Sequence, residues 1–169
     1  LRFNQPQWCF PSFTKQHFTF NATSLGHPLI PLQSRVVSHF DVEGIAKVAL
    51  VTGSNMAGKS TFLRSLGVNI VLAQMGAPVC ARQLQLSPVR LMSSMRIADN
   101  LAENTSTFYA ELKKLKTIIE VVRSHQPLFV LLDEILRGTN SLDRHIGSKA
   151  LIKQLIKENA VAVIATHDV

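Results

Sequence analysis

One stretch of this sequence limits the fold more than any other, the eight residues GSNMAGKS at 53–60. They fit the pattern G-x-x-x-x-G-K-[ST], follow a short apolar run that ends at Val51, and precede an apolar segment with helical spacing. A strand, a glycine-rich loop and a helix start in this order are the setting of a phosphate-binding P-loop. The pattern therefore predicts a nucleotide-binding α/β domain, in preference to a plain glycine-rich turn before a helix.

The residue types of this loop have a chemical reason. Gly53 and Gly58 allow positive φ and a close approach of the backbone, so successive N–H groups can point at phosphate oxygens. A helix that begins near Lys59 adds the positive end of its dipole. We expect the Lys59 amine to reach the β- and γ-phosphates of a nucleotide, and the Ser60 hydroxyl to bind Mg²⁺.

The rest of the chain alternates between helical and strand patterns. Apolar residues recur at helical spacing from 59 to 76, from 106 to 125 and over about 143–158, whereas 128–132 and 160–165 are short, fully apolar runs. Fully apolar strands are typical of parallel sheets that are covered on both faces. The alternation predicts a mostly parallel, doubly wound sheet flanked by helices, with short strands within 79–97.

Polar residues follow three of these predicted strands. The P-loop follows Val51, the pair Asp133-Glu134 follows Leu132, and His167 follows the last apolar run. Ligands of open α/β sheets bind outside the carboxyl ends of the strands, so we expect these residues at one edge. Asp133 would hold Mg²⁺ directly or through an intervening ligand, Glu134 would polarise the attacking water, and His167 would sense the γ-phosphate or orient the water. Two solvated carboxylates and a structural histidine are the alternative interpretation.

Residues 1–46 differ in composition from 47–169. They contain six of the nine Phe residues and the only Trp, and they alternate at 17–20 and 35–40 like short strands. This predicts an antiparallel or irregular β layer that leads into the strand at 47–52. Its aromatic side chains are expected to pack in a core, with stacking on an adenine ring as the second interpretation.

Charge and cysteine content add weaker limits. The formal net charge is +7, which suits an anionic partner such as DNA, but the basic residues are scattered along the chain. Two distant cysteines, the lack of an eighteen-residue apolar run and the lack of a visible signal peptide predict a reducing compartment, the cytoplasm. A chain that starts at Leu1 without Met and stops just after an apolar run is expected to be a fragment of a longer protein.

Five segments resemble a known family. They are, in chain order, TGSNMAGKST (52–61), LAQMGAPVCA (72–81), DNLAENTSTFYAEL (99–112), LLDEILRGTNSLD (131–143) and ATHD (165–168). Together they resemble the ATPase domain of MutS-type DNA mismatch repair proteins, over about 45–169, and Gly26-His27-Pro28 extends the similarity upstream. The resemblance implies an ABC-type, Mg²⁺-dependent P-loop ATPase that works as a homodimer with composite sites. It also implies DNA, mismatched duplex above all, and downstream repair factors as partners of the parent protein.

The resemblance also implies site residues. ATP would be bound by the loop residues Gly53, Ser54, Asn55, Met56, Ala57, Gly58, Lys59, Ser60 and Thr61. Ser106 would reach the γ-phosphate of the partner subunit, although by itself it fits a helix N-cap equally well. Asn140 to Asp143 would meet the P-loop of the partner, and His167 would be the switch histidine.

The same resemblance leaves alternatives open. Leu136 stands where the family commonly has Gly, Arg144-His145 replaces small residues, and 95–98 lacks a usual glycine, which indicates a divergent MutS-like branch. Another ABC-type ATPase is the second hypothesis, but its Leu-Ser-Gly-Gly signature does not occur in this sequence. A nucleotide-gated dimerisation module with little turnover is the third, since the DNA-binding domains and the C-terminal dimerisation region are expected to lie outside this fragment.

Overall fold

The computed structural model describes residues 7–15, 17–54, 56–95, 107–123, 127–136 and 139–166. The chain forms two compact units, Leu1–Ile45 with Ser60–Val89, and Ala46–Lys59 with Arg90–Val169. In chain order the elements are β1 (Ser12–Phe13), β2 (Thr19–Leu25), β3 (Ser38–Glu43), β4 (Lys47–Thr52), α1 (Lys59–Gln74), β5 (Gln83–Leu86), β6 (Arg90–Ser94), α2 (Thr107–Val122), β7 (Leu128–Asp133), α3 (Ser141–Lys157) and β8 (Val161–Thr166). None of the described helices is long and apolar enough to cross a membrane.

The sheet of the first unit is mixed. Its strand order is β1-β5-β2-β3, with β1 and β5 parallel and the other neighbours antiparallel. The register between β2 and β3 shifts between Ala22 and Leu25, and Ser24 there has φ of 52°. The predicted antiparallel or irregular β layer is therefore confirmed, with β5 joining it from beyond the P-loop.

Two strands of this sheet begin later than the alternation predicts. β2 begins at Thr19 rather than at 17, and β3 begins at Ser38 rather than at 35. Arg35 explains the second difference, because its Nε and Nη2 both donate to the Ile30 carbonyl oxygen, at 2.9 and 2.7 Å. This bidentate bond keeps the backbone in the loop that follows the 3-10 turn Leu32–Ser34.

Helix α1 supplies much of the first unit's core. It buries Leu63, Leu66, Ile70 and Ala73 at the predicted helical spacing, and Gly76, with φ of 76°, follows its end. Asn69 is fully buried on the same face. Its Nδ2 donates to the carbonyl oxygens of Gly26 (3.0 Å) and Ser65 (2.8 Å), and its Oδ1 accepts from the Cys80 N–H at 2.7 Å.

The sheet of the second unit is entirely parallel, in the order β4-β8-β7-β6. Every residue of β7 is buried, as the fully apolar run predicts. One core cluster joins this sheet to α2 and α3, and it contains Leu115, Ile118, Val122, Leu128, Val130, Leu132, Ile135, Leu136, Leu151, Leu155, Ala160, Ala162 and Ile164. The prediction of an α/β fold with a parallel sheet flanked by helices is confirmed.

The inward faces of the two helices differ in part from the sequence pattern. Leu112 of α2 is 41% exposed, because the buried stripe of this helix runs through Leu115, Ile118 and Val122. In α3 only Leu151 and Leu155 are buried, whereas Ile146 is 57% exposed. The apolar periodicity therefore predicts both helices, but two of the side chains that it places on their inward faces, Leu112 and Ile146, are exposed.

Candidate functional site

Three strand ends of the parallel sheet lie at one edge. Thr52 at the end of β4 pairs with Thr166 at the end of β8, and Asp133 at the end of β7 pairs with Ala165. All three strands run in the same direction, so their carboxyl ends share this edge. The structure thus places the start of the P-loop and the Asp133-Glu134 pair at the predicted edge of the sheet.

The P-loop has the backbone that its glycines permit. Gly53 has φ of 149° and Gly58 has φ of 81°. A Cβ at Gly58 would meet nothing within 4 Å, so the left-handed φ, not a lack of space, favours glycine there. Met56 also has positive φ, at 73°, and its side chain is fully exposed. The Ala57 N–H donates to the Ser54 carbonyl oxygen at 3.2 Å, which closes the turn.

Lys59 folds back onto this loop. Only 7% of the residue is exposed, and its Nζ donates to the carbonyl oxygens of Gly53 (2.6 Å) and Ser54 (2.8 Å). The ammonium therefore lies at the loop, and Lys59 is the first residue of α1, where the sequence predicts the helix to begin. An ammonium that donates to neutral carbonyls can exchange them for anionic phosphate oxygens, which form stronger charge-assisted bonds.

Asp133 has the environment of a cation ligand. It is 5% exposed, and neither carboxylate oxygen has a hydrogen-bond partner among the described residues. A buried carboxylate without a partner is costly, and such groups normally pair with cations or coordinate metals. Mg²⁺ prefers oxygen ligands of this kind, so the donor at this edge fits the predicted ion.

The turn after Asp133 has an unusual backbone. Glu134 and Leu136 have φ of 51° and 58°, in the left-handed region that costs a side-chain-bearing residue roughly 1–2 kcal/mol. Contacts from three elements hold the turn. The Glu134 N–H donates to the Ala165 carbonyl oxygen of β8 (2.9 Å), and the Leu136 N–H donates to Oε1 of Glu111 on α2. The third contact is the Leu136 side chain, which lies over Gly147 of α3.

Several predicted site residues either lie outside the described residues or are grouped with the first unit. Asn55, Ser106 and His167 lie outside the described residues. Ser60 is half-buried and Thr61 is exposed; both follow Lys59 in α1 and are grouped with the first unit. The structure therefore describes Lys59, Asp133 and Glu134 together in one unit, and the predicted roles of all these residues stay predictions.

Two residues at the turn were not singled out by the sequence analysis. Glu111 was noted only as part of the quoted segment at 99–112, and Gly147 was not noted at all. The available signal was Leu136 itself, a bulky residue where glycine is expected. It requires a small neighbour, and Gly147 provides this space.

Two side chains of the first unit have shifted pKa values. Desolvation, helped by Arg64 and Arg35, lowers the pKa of His27, so its imidazole is neutral at pH 7. In agreement, Nδ1 of His27 accepts a hydrogen bond from the Leu29 N–H at 3.3 Å. Burial raises the pKa of the Cys80 thiol, against the opposite effects of Arg35 and of a Gly26 backbone hydrogen bond. The raised pKa keeps the Cys80 thiol protonated at pH 7, so it is not a reactive thiolate.

The chain is similar in sequence to known proteins. The family model described as MutS domain V matches residues 49–169. The DNA mismatch repair protein MutS of Bartonella quintana is 34% identical and is matched over 96% of this chain and 19% of its own length. MutS of Thermus aquaticus is 35% identical over 83% of this chain and 17% of its own length. Endonuclease MutS2 of Thermus thermophilus is 31% identical over 93% and 20%.

This chain spans about a fifth of the length of these relatives. The matched part contains the P-loop, β7 with the Asp133-Glu134 pair, α2, α3 and β8, and so it includes the sheet edge described above. The match of the family model over 49–169, together with relatives above 30% identity along most of the sequence, shows that the chain belongs to the MutS family.

Proposed function

We propose that this chain is the ATP-binding and ATP-hydrolysing domain of a MutS-like DNA mismatch repair protein. Residues 1–169 would form one ATPase domain, with 1–46 as its aromatic-rich β segment and 47–169 as its P-loop core. The observation that carries the proposal is Asp133, a buried carboxylate without a described partner at the sheet edge where the P-loop begins. A structural carboxylate would be paired, whereas a magnesium ligand needs free oxygens.

Several residues of this chain would have distinct roles in ATP binding and hydrolysis. Backbone N–H groups from Gly53 to Gly58 cradle the phosphates, and Lys59 exchanges its loop carbonyls for phosphate oxygens. Glu134 takes a proton from the attacking water, which contributes about 10²–10⁴-fold to a hydrolysis rate. Ser60 and Asp133 would hold Mg²⁺, which when bound neutralises charge on the phosphates.

A complete site would need a second copy of the protein. Ser106 would reach the partner's γ-phosphate, Asn140 to Asp143 would meet its P-loop, and His167 would respond to the phosphate. Asn140 is exposed, and its Oδ1 accepts from the Asp143 N–H at 2.9 Å, which orders the start of α3 for such a contact. This chain alone would then hydrolyse ATP slowly, and the parent would act on DNA with downstream repair factors in the cytoplasm.

Substitutions at two residues test the ATPase. In the full-length protein we expect Lys59→Ala to weaken ATP binding by roughly tenfold or more, because it removes the charge that faces the phosphates. Glu134→Gln should bind ATP normally but lose about 10²-fold or more in turnover. Lys47→Ala and Glu120→Ala replace exposed residues and serve as matched controls. Full turnover in both site variants would contradict the proposal.

The relative named Endonuclease MutS2 supports a second candidate, a divergent MutS-like protein with the same ATPase. Binding of the full-length protein to paired and mismatched duplexes, with and without Mg·ATP and at stated salt, separates the two. A preference for the mismatch that ATP relieves supports mismatch repair. Equal, salt-sensitive binding, or none, supports the divergent role and leaves the ATPase untouched.

A further inference from the structure

Glu111 of α2 is joined to the turn that carries the proposed catalytic carboxylate. We propose that Glu111 is a positioning residue for Glu134: its side chain holds the Leu136 N–H, fixes the turn after β7, and so couples α2 to the hydrolysis step. This inference rests on the proposed function, because it assumes that Glu134 activates water.

The contact is direct and specific in its atoms. Oε1 of Glu111 accepts a hydrogen bond from the backbone N–H of Leu136, across 25 residues of chain. Glu111 is half-buried and Leu136 is 7% exposed, so water does not readily replace this bond. A buried N–H that loses its acceptor is penalised, and the backbone would rotate to find another.

The turn depends on such outside contacts because its local conformation is unfavourable. Glu134 and Leu136, two residues apart, both have left-handed φ, which a side-chain-bearing residue does not adopt by preference. Their N–H groups are held by different elements, that of Glu134 by β8 and that of Leu136 by α2. The Glu134 side chain is therefore aimed by a backbone that relaxes when either bond is lost.

Glu111 also lies close to the start of its helix. α2 begins at Thr107, four residues or about 6 Å of helix before Glu111. A shift of that end of the helix moves the acceptor of the Leu136 N–H, and with it the turn. α2 thus has a direct structural connection to the carboxylate that acts on water.

Three substitutions at Glu111 distinguish the effect of the length of its side chain from the effect of its charge. Glu111→Gln keeps an acceptor oxygen at the same distance and loses the charge, whereas Glu111→Asp keeps the charge and shortens the side chain. Glu111→Ala removes both. In the full-length protein we expect Gln to stay within about threefold of wild-type turnover, and Asp and Ala to lower kcat by roughly tenfold or more, since small displacements of reacting groups are costly.

Other measurements exclude a merely structural or binding role. ATP affinity should change little in the Gln and Asp variants, and Tm should change little in the Gln variant, which keeps the acceptor. Glu120→Ala, which replaces an exposed glutamate on the same helix, should behave as wild type. In a Glu134→Gln background, Glu111→Asp should lower turnover less than about twofold further, because the group it positions is already gone.

Several outcomes would overturn the inference. They are wild-type turnover in Glu111→Asp, an equal loss in Gln and Asp, a loss of ATP affinity in step with kcat, or additive losses in the double variant. Each of these leaves the ATPase assignment intact. An inactive wild-type protein, or full activity in Glu134→Gln, would instead remove the proposed function and this inference with it.

Discussion

Asn69 and Asp133 are both buried polar residues, one in each unit, but only Asn69 is satisfied. All of the Asn69 amide is used, with Nδ2 donating twice and Oδ1 accepting once from backbone groups. Asp133 is also buried, at 5% exposure, and neither of its carboxylate oxygens has a described partner. The structure of the fold accounts for a polar residue at position 69, because Asn69 satisfies backbone groups of Gly26 and Cys80. It gives no such reason for a carboxylate at position 133.

The difference offers a way to separate structural from functional polar residues in this fold. A buried group whose bonds are all made within the chain stabilises the native state. A buried polar group without hydrogen bonds destabilises the apo protein, so we expect its role to be in binding a ligand. Substitution by an uncharged residue should therefore lower the free energy of unfolding at Asn69 and raise it at Asp133. Three predictions test this contrast, in order of decreasing effect on that free energy.

Asn69→Ala should destabilise the chain most, by about 3 kcal/mol, because it leaves the buried Cys80 N–H and Gly26 carbonyl without their partner. Urea unfolding of the chain measures this. Gln74→Ala is the matched control on the same helix. It also removes a bond to a backbone N–H, that of Val89, but at an exposed site where water replaces it, so the cost should stay below about 1 kcal/mol. Equal losses in both variants would remove the distinction.

Gly147→Ala should destabilise the chain by roughly 2 kcal/mol, although alanine is normally the better helix residue by about 1 kcal/mol. A Cβ at this position would overlap Cδ1 of Leu136, a side chain that is 7% exposed and packed in the core cluster, so it has little room to rotate away. Gly147 and Leu136 pack beside the turn that follows Asp133, so this substitution tests the packing that supports the Asp133 edge.

As a control, the effect of Gly147→Ala on the free energy of unfolding should change sign when Leu136 is replaced. In a Leu136→Gly background the obstructing side chain is absent, so Gly147→Ala should become neutral or stabilising by up to about 1 kcal/mol. Urea unfolding of the four proteins in this cycle gives the coupling energy. A loss of the same size in both backgrounds would show that Leu136 is not the cause.

The sequence predicted the regular elements more accurately than the contacts between them. The parallel strands and the convergence of Thr52 and Asp133 at one edge follow from the apolar runs and from the chirality of βαβ units, which are local properties. The contact between Glu111 and Leu136 joins residues 25 apart through a backbone N–H, and no residue pattern encodes such an atom. Arg35 shows the same limit, since its bond to Ile30 delays the start of β3.

Asp133→Asn should have the smallest effect on stability and the opposite sign, a gain of about 1 kcal/mol in the absence of Mg²⁺. The substitution removes the cost of a buried, unpartnered charge while it keeps the shape of the side chain. Asp41→Asn, at an exposed position of β3, should change stability by less than about 0.5 kcal/mol.

Addition of millimolar Mg·ATP should reverse this order. Wild type gains stability by ligand linkage, by about 2.7 kcal/mol at a hundred times the Kd, whereas the Asn variant gains less because it has lost an anionic ligand for the ion. Thermal unfolding with and without Mg·ATP measures the reversal. If Asp133→Asn instead destabilises the apo chain as much as Asn69→Ala does, the carboxylate has a structural partner and the two buried residues belong to the same class. The gain in the apo state and its reversal by Mg·ATP must therefore occur together, because a residue retained for a cation is costly until the cation binds.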